Sequence, residues 1–360
     1  MPTIDEVVAS LKADLGDQIV AKGSDMRIEA VSTGSLAVDL ATGVGGFPKG
    51  YITELFGPEG GGKSTLCLES CISNAMRGGF SVYMDVENKT YPGRPVELGM
   101  DPERLYVLQP KTKVDTLKTM ESALFKLSGV DEGMMVMFRP YTGTLTWDVI
   151  KFLLEENLSD IIVVDSVHAL ATGVEKDASA EDQHMGVLAR LMSQNIKACI
   201  SDLGLADVAL VFINQVREKI GVRYGNPNTT PSGRAIKFYS AIRMKVRKTN
   251  TLKARGRGEY GIRVTAFTRK NSLAKPRQEV EFDIDWSEGI IPAADVLNAA
   301  KDIGIISPAG GYYKFKGESI ADERGYDHAV AKLKTNPALV DTIREAVLHP
   351  TIDEETGEIL

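Results

Sequence analysis

Cysteine, histidine and tryptophan are scarce in this chain of 360 residues, which has three, four and two of them. Three cysteines cannot build a disulfide framework, and no histidine cluster accompanies them, so a zinc site is not expected. Cys67 and Cys71 stand four residues apart and Cys199 stands alone, the pattern of small packing residues. No apolar run comes near the ~18 residues that a membrane helix needs. The opening MPTIDEVVASLKADL has no basic n-region and no apolar h-region. No signal peptide is therefore expected, and the expected setting is the cytoplasm, without a membrane partner. Acids are missing from one stretch in particular. Between Asn214 and Arg277 stand 17 lysines and arginines but only two acids, Glu218 and Glu259, inside a chain whose net charge is -7. A basic block of +15 in an otherwise acidic chain points to a localised polyanion site.

What the chain has in quantity is apolar residue, 43% of the total, enough for a large core in a length of more than one typical domain. It is organised around Tyr51–Thr65, YITELFGPEGGGKST. Tyr51 to Phe56 reads as a buried strand, Gly57 and Pro58 break it, and Gly57, Gly62, Lys63 and Ser64 spell G-x-x-x-x-G-K-[ST]. Leu66, Leu68 and Ile72 continue as a helix. Gly60, Gly61 and Gly62 let the backbone curl around a phosphate with its N–H groups inward, at a helix N-terminus that already favours anions. Lys63 supplies a full positive charge for the β- and γ-phosphates, and the Ser64 hydroxyl can ligate Mg2+. The alternative, a bare glycine-rich turn, does not explain a strand before the motif and a helix after it.

Thr3-x-x-Glu6 is a capping box, and Ile4, Val7, Val8, Leu11 and Leu15 follow at helical spacing. This apolar stripe packs either on its own domain or on a neighbouring subunit. Strands are expected at Phe80–Asp85, Leu105–Leu108, Met134–Phe138, Ile161–Val164 and Val208–Ile213, with helices near 114–128, 147–156 and 184–203. Strands alternating with helices imply a parallel sheet covered on both faces. Val107-x-x-Pro110-x-Thr112 and Met137-x-x-Pro140-x-Thr142 are alike at an offset of 30 residues, from duplication or by coincidence. After Ser240 the period changes to two, in 241–247, 260–267 and 279–284, as in antiparallel strands extending the sheet. Asn250–Gly258 reads as a mobile hairpin tip. Helices are expected near 292–303, 326–334 and 338–348, and the acidic tail TIDEETGEIL is expected to be disordered.

Asp165 ends the run IIVVD, where a carboxylate at the C-terminal end of a central strand lies beside the phosphate site and can hold Mg2+ through water. Asp85 and Glu87 end FSVYMDVE; one of them could activate a water, or both could be turn acids. Gln215 can report a γ-phosphate to the loop after it. That loop, 216–233, is basic, bears a tyrosine and glycines, and suits either single-stranded nucleic acid or a lid over nucleotide.

Read together, STGSLAVDL (32–40), GPEGGGKST (57–65), DVE (85–87), IIVVDSVHAL (161–170), HMGVLARLMSQ (184–194), FINQVREKIGVRYGNP (212–227), SGRAIKFYSAIR (232–243), RKNSLAKP (269–276) and SEGI (287–290) resemble the RecA family of DNA recombinases. The resemblance runs from about Ser32 into the C-terminal helices. It implies an α/β fold: a RecA-type P-loop ATPase core with a mostly parallel central sheet and antiparallel extension, an N-terminal helix, and a small α/β C-terminal domain. The divisions it implies are 1–30, 31–288 and 289–360. It also implies ATP and Mg2+ as ligands, with Gly57, Pro58, Glu59, Gly60, Gly61, Gly62, Lys63, Ser64 and Thr65 on the phosphates, Ser64 and Asp165 on the metal, and Ser166 beside Asp165. Glu87 takes the role of general base, and Gln215 couples ATP to the DNA loop. Lys270 reaches the γ-phosphate of the next subunit.

For DNA, the resemblance places one loop at about 174–186, ending at His184 and Met185, with Arg190, Ser193 and Lys197 on the helix behind it. The second loop, 216–233, brings Arg217, Ile220, Arg223, Tyr224, Thr230, Ser232 and Gly233, followed by Arg234. Ile4, Val7, Val8 and Leu11 with Lys237, Phe238 and Arg243 form the subunit interface. The chain departs from the family pattern in three places. The second cross-interface lysine is Ser272. Tyr91 and Arg94 stand where an aspartate and a tyrosine near the adenine are common. About 30 residues around 107–137 form an extra βα unit. The expected function is an ATP-dependent recombinase that forms head-to-tail helical filaments on single-stranded DNA and exchanges strands with double-stranded DNA. The alternatives are a RecA-fold hexameric helicase or motor and a weakly hydrolysing regulatory filament protein.

Overall fold

The structure, a computed structural model, describes residues 3–15, 27–110, 117–130, 132–171, 181–215, 217–218, 228–229, 235–254 and 256–350. In chain order the elements are α1 (Ile4–Leu15), α2 (Leu36–Thr42), β1 (Ile52–Gly57), α3 (Lys63–Met76), β2 (Phe80–Asp85), α4 (Arg94–Glu97), β3 (Leu105–Leu108), α5 (Leu117–Ser128), β4 (Met134–Phe138) and α6 (Gly143–Glu155). β5 (Ile161–Asp165), α7 (Glu181–Leu205), β6 (Ala209–Gln215), α8 (Ala235–Tyr239), β7 (Ser240–Ala254), β8 (Gly258–Asn271), β9 (Glu279–Asp285) and β10 (Gly289–Ile290) complete the main sheet and its cover. α9 (Pro292–Asp302), β11 (Ile306–Ala309), β12 (Tyr312–Phe315), β13 (Glu318–Ser319), α10 (Tyr326–Lys334) and α11 (Pro337–Leu348) follow.

Ten strands form one sheet in the order β10-β9-β8-β7-β1-β6-β5-β2-β4-β3. From β7 to β3 every pair is parallel, and β7, β8, β9 and β10 pair antiparallel. The parallel strands read as continuous apolar runs because both faces are covered. On one face Trp147, Ile150, Leu153, Met192, Ile196 and Leu203 from α6 and α7 pack against Val82, Ile162 and Phe212. On the other, Leu66, Cys67 and Cys71 of α3 meet Leu55, Val163, Val211 and Val246. All three cysteines are buried thiols, in keeping with packing.

One feature differs from the expectation. The polar residues 250–254 are not a loose tip: β7 runs on to Ala254, with Asn250 opposite Arg263 and Ala254 opposite Gly258, so the hairpin tip is shorter than 250–258. Backbone pairing with a long partner strand outweighs the low strand propensity of these residues. The C-terminal helices pack with a small three-stranded sheet, β11-β12-β13, which bears out the implied α/β character of the C-terminal part. α9, α10 and α11 bury Val296, Leu297, Ala300, Leu333, Ile343 and Val347 together with Leu36 and Ala37 of α2.

β3 lies at the open edge of the sheet, parallel to β4, and Val107 is the register partner of Met137. The two similar segments of the sequence therefore lie side by side as adjacent βα units. Thr142 caps α6 by accepting from Leu145 N–H at 3.1 Å; its counterpart Thr112 lies outside the described residues. On α1, Thr3 N–H donates to Glu6 at 2.8 Å, so the capping box is formed. Ile4, Val7 and Leu11 are exposed on that helix, and Val8 is partly so. Among the described residues no helix is long and apolar enough to cross a membrane.

Candidate nucleotide site and DNA-facing surface

Four parallel strands end on one edge of the sheet, and each ends in a functional candidate. Gly57 of β1 is the register partner of Gln215 of β6, and Asp165 of β5 is the register partner of Asp85 of β2. Ligands in such sheets sit beyond the strand C-termini. Here the loop after β1 closes over that edge. Gly57 has no side chain because a Cβ would lie 2.0 Å from the Val246 carbonyl oxygen of β7. Gly62 has φ +93° at the start of α3, a left-handed conformation that glycine adopts without strain. The result is a cleft of about 390 Å3 lined by Glu59 to Thr65, Asp85, Glu87, Lys89, Thr90, Arg94, Asp165, Gln215 and Trp286, with Ile213, Ile262 and Ile284 as its apolar wall.

Lys63 Nζ donates to the carbonyls of Gly57 at 3.0 Å and Pro58 at 2.6 Å. Burial lowers its pKa, while Asp165 and Glu59 pull the other way. Ser64 Oγ donates to Asp165 Oδ2 at 2.6 Å, and the buried Tyr83 hydroxyl donates to the same oxygen at 2.5 Å. Burial raises the Asp165 carboxyl, and these two hydrogen bonds oppose it only in part. Glu87 Oε1 accepts from Ser166 Oγ, and Lys89 Nζ lies 2.6 Å from Glu87 Oε2. Burial pushes Glu87 up, but the Lys89 and Ser166 hydrogen bonds prevail and leave its pKa below the ordinary value. Asp85 is no free acid: it accepts from Lys89 N–H and Thr90 N–H, both at 3.1 Å, and from Arg139 at 3.2 Å. Asp85 thus holds the turn after β2, and Glu87, two residues on, also lines the cleft.

The hard oxygens of Ser64 and Asp165, adjacent on a glycine cradle, fit Mg2+, which takes few protein ligands and completes its shell with phosphate and water. Among the described residues no cluster of three or more His, Cys, Asp or Glu forms a protein-only metal cage. Lys89 and Trp286 were missed by sequence reasoning. Lys89 stands two residues beyond Glu87, and Trp286 comes from β9 and its turn, remote from every phosphate motif; no local pattern flags either. Tyr91 is 66% exposed with its ring over Gly93, and Arg94 pairs with Glu97 at 3.0 Å.

The candidates for DNA and interface are spread more widely. Arg190 and Lys197 are exposed and Ser193 partly so on α7, whose opposite stripe, Met192, Ile196 and Leu203, is buried. Met185 falls in the first turns of α7, which begins at Glu181, and Arg217 lies in a two-residue strand paired with 228–229. Ile220, Arg223, Tyr224, Thr230, Ser232, Gly233 and Arg234 lie outside the described residues. Phe238 is 73% exposed. Arg243 is turned inward: it pairs with the buried Glu54 and its guanidinium stacks on Phe56 at 4.8 Å. Lys270 Nζ donates to the carbonyls of Phe238 at 3.1 Å and Ser240 at 2.7 Å, at the end of α8. Part of the basic block is likewise matched internally, Arg263 by Asp283 and Arg257 by Asp285, each at 2.8 Å. The charge free for a polyanion is therefore smaller than the sequence count.

The family profile described as the RecA N-terminal domain matches residues 3–131 and 113–291, two stretches that overlap across α5 of the edge unit. A RecA protein of Thermus thermophilus is 36% identical over 349 residues, covering 96% of this chain and 93% of its own length. One of Aquifex aeolicus is 38% identical over 339 residues, covering 92% and 89%. A crystal structure of the RadB recombinase is similar at 19% identity and a TM-score of 0.47, covering 72% of this chain and 98% of its own; the full-length relatives carry the argument instead. The mixed sheet, the phosphate loop and the near full-length similarity agree, and the chain belongs to the RecA family of ATP-dependent recombinases.

Proposed function

We propose that the cleft at the end of β1, β2, β5 and β6 binds ATP with Mg2+ and hydrolyses it while the protein is polymerised on single-stranded DNA, where it pairs and exchanges strands with duplex DNA. The observation that carries this reading is the convergence of Lys63, Ser64, Asp165, Glu87 and Gln215 on one sheet edge from four separate strands. The loop N–H groups and Lys63 hold the phosphates, and Ser64 and Asp165 hold the metal. When bound, Mg2+ neutralises charge on the β- and γ-phosphates. Glu87 takes a proton from a water whose oxygen attacks the γ-phosphorus; the bond to the bridging oxygen breaks and ADP leaves with its electron pair. Gln215 senses the γ-phosphate at the head of the loop that follows β6. The exposed cations Arg190 and Lys197 face DNA phosphates together with that loop. Trp286 and the three isoleucines offer a flat apolar wall to the base.

The same reading divides the chain into 1–30, 31–288 and 289–360, and it uses the exposed stripe of α1 as a head-to-tail contact, which propagates into a helix. Lys270 reaches the neighbouring γ-phosphate by leaving the α8 carbonyls. The test is ATP turnover with and without single-stranded DNA, run beside electron microscopy. Glu87→Gln is expected to bind ATP and DNA and form filaments but to hydrolyse about a hundredfold more slowly or worse. Parent-rate turnover by that variant removes Glu87 from the reaction, and closed rings in place of open filaments would favour a motor.

A further inference from the structure

Lys89 is a cation of the cleft to which the readings above give no task. Its backbone is fixed: its N–H donates to Asp85 Oδ1 at 3.1 Å, Asp85 is itself held by Arg139, and Asn88 takes the turn at φ +53°. Its side chain is 66% exposed, and its ammonium lies 2.6 Å from Glu87 Oε2, on a carboxylate only 14% exposed. The other Glu87 oxygen accepts from Ser166 Oγ. A clamped carboxylate thus meets a lysine that is pinned at its root and whose solvent-exposed tip is held by that carboxylate alone among the described residues.

An ammonium at hydrogen-bond distance stabilises the carboxylate and makes it a weaker base. A base held this way gains strength only when the ammonium finds another anion. The strongest anion that reaches this cleft is the terminal phosphate of a nucleoside triphosphate, with more charge and more acceptor oxygens than one carboxylate. Lys63, the other lysine of the cleft, is seated on the loop carbonyls of Gly57 and Pro58. Lys89 is the cation attached to the base itself.

We propose that Lys89 reads the γ-phosphate and controls the general base: it rests on Glu87 and transfers to the γ-phosphate of a bound triphosphate, which releases Glu87 to accept the proton of water. With a diphosphate bound, no terminal phosphate competes and Lys89 stays on Glu87, so the base is active only when there is a bond to break. This rests on the reading of Glu87 as the base, and it gives this chain a cation in cis beside a trans position where Ser272 leaves one charge fewer.

The test compares nucleotide affinities of the full-length protein, read by displacement of a fluorescent nucleotide with Mg2+ and without DNA. Lys89→Ala is expected to weaken ATPγS about tenfold and leave ADP within about twofold. Lys89→Arg, which keeps the charge, is expected to restore most of the difference. Equal weakening of both nucleotides by Lys89→Ala, or no change in either, overturns the proposal, and so does failure of the arginine variant to restore discrimination. Glu87→Gln separates the two readings. If it turns over at the parent rate the base assignment fails, whereas the ATPγS-to-ADP ratio of the Lys89 variants still decides whether this lysine contacts the terminal phosphate.

Discussion

Asp165 in the nucleotide cleft and the two aspartates of the β8–β9 ladder are buried or nearly so, and they are held in different ways. In the ladder each acid has its own arginine. Asp283 takes two hydrogen bonds from Arg263, at 2.8 and 2.9 Å, and Asp285 takes two from Arg257, at 2.8 and 3.2 Å. In the cleft Asp165 is held by two hydroxyls, of Ser64 and Tyr83, and, among the described residues, by no arginine or lysine. Its lysines rest on backbone carbonyls and on Glu87. Matched pairs are architecture, because each fork is bidentate and directional. Under-neutralised acids beside weakly held cations form a surface that a metal–phosphate ligand can complete. A basic segment can thus be structural in part, its arginines spent on matched aspartates of the sheet.

The largest expected effect breaks the cleft side of this contrast. Lys63→Ala removes the charge seated on the loop and is expected to weaken ATP binding by at least about a hundredfold, with an unchanged melting temperature; isothermal titration and a thermal melt check both. Next, Asp283→Ala leaves Arg263 without its partner and is expected to cost about 3 kcal/mol in chemical denaturation, with nucleotide affinity unchanged. An Asp283 variant that lost ATP binding and kept its stability would reverse the comparison.

A pH series sharpens it further. Asp39 and Asp295 face each other between α2 and α9. Burial holds both up to about 6, above the ordinary aspartate value, despite hydrogen bonds from Ser32, Thr33 and Ser35. The folded chain therefore binds these protons more tightly than the unfolded one. Their contribution favours folding below about pH 4 and is lost as pH rises through about 6, by about 3 kcal/mol per group. Asp285 has the opposite sign. Burial pushes it up, but Ser287 and Arg257 overcome that and bring it to about 2, so its contribution is present above pH 4 and is lost as pH falls toward 2. Asp295→Asn is expected to flatten the fall between about pH 4 and 6 and leave the acid limb in place, as read by melts across pH. The smallest effect belongs to an exposed pair. Lys334→Ala removes a 3.0 Å contact with Glu288 and is expected to change stability by less than about 0.5 kcal/mol.

Much of this was legible in the order of residues. G-x-x-x-x-G-K-[ST] after a strand specifies a loop and a helix through covalent neighbours alone, and IIVVD specifies a buried strand with an acid at its end. Period-two runs after Ser240 announced antiparallel strands, although not that pairing would carry β7 through Asn250 to Ala254. The edge unit was visible as an internal likeness, and the register of Val107 with Met137 placed its two halves side by side.

What the sequence by itself determined about this protein is therefore local: the phosphate loop, the alternation of strands and helices, and the acids and glutamine at strand ends. Only the tertiary structure decided which charges meet. It turned Arg243 onto Glu54, 189 residues away, seated Lys270 on the end of α8, and brought Trp286 of the β9 turn into the cleft of Lys63. The physical reason is range. Helix, turn and strand signals act between residues a few positions apart, whereas ion pairing and burial act between whatever residues the sheet order brings within a few ångströms.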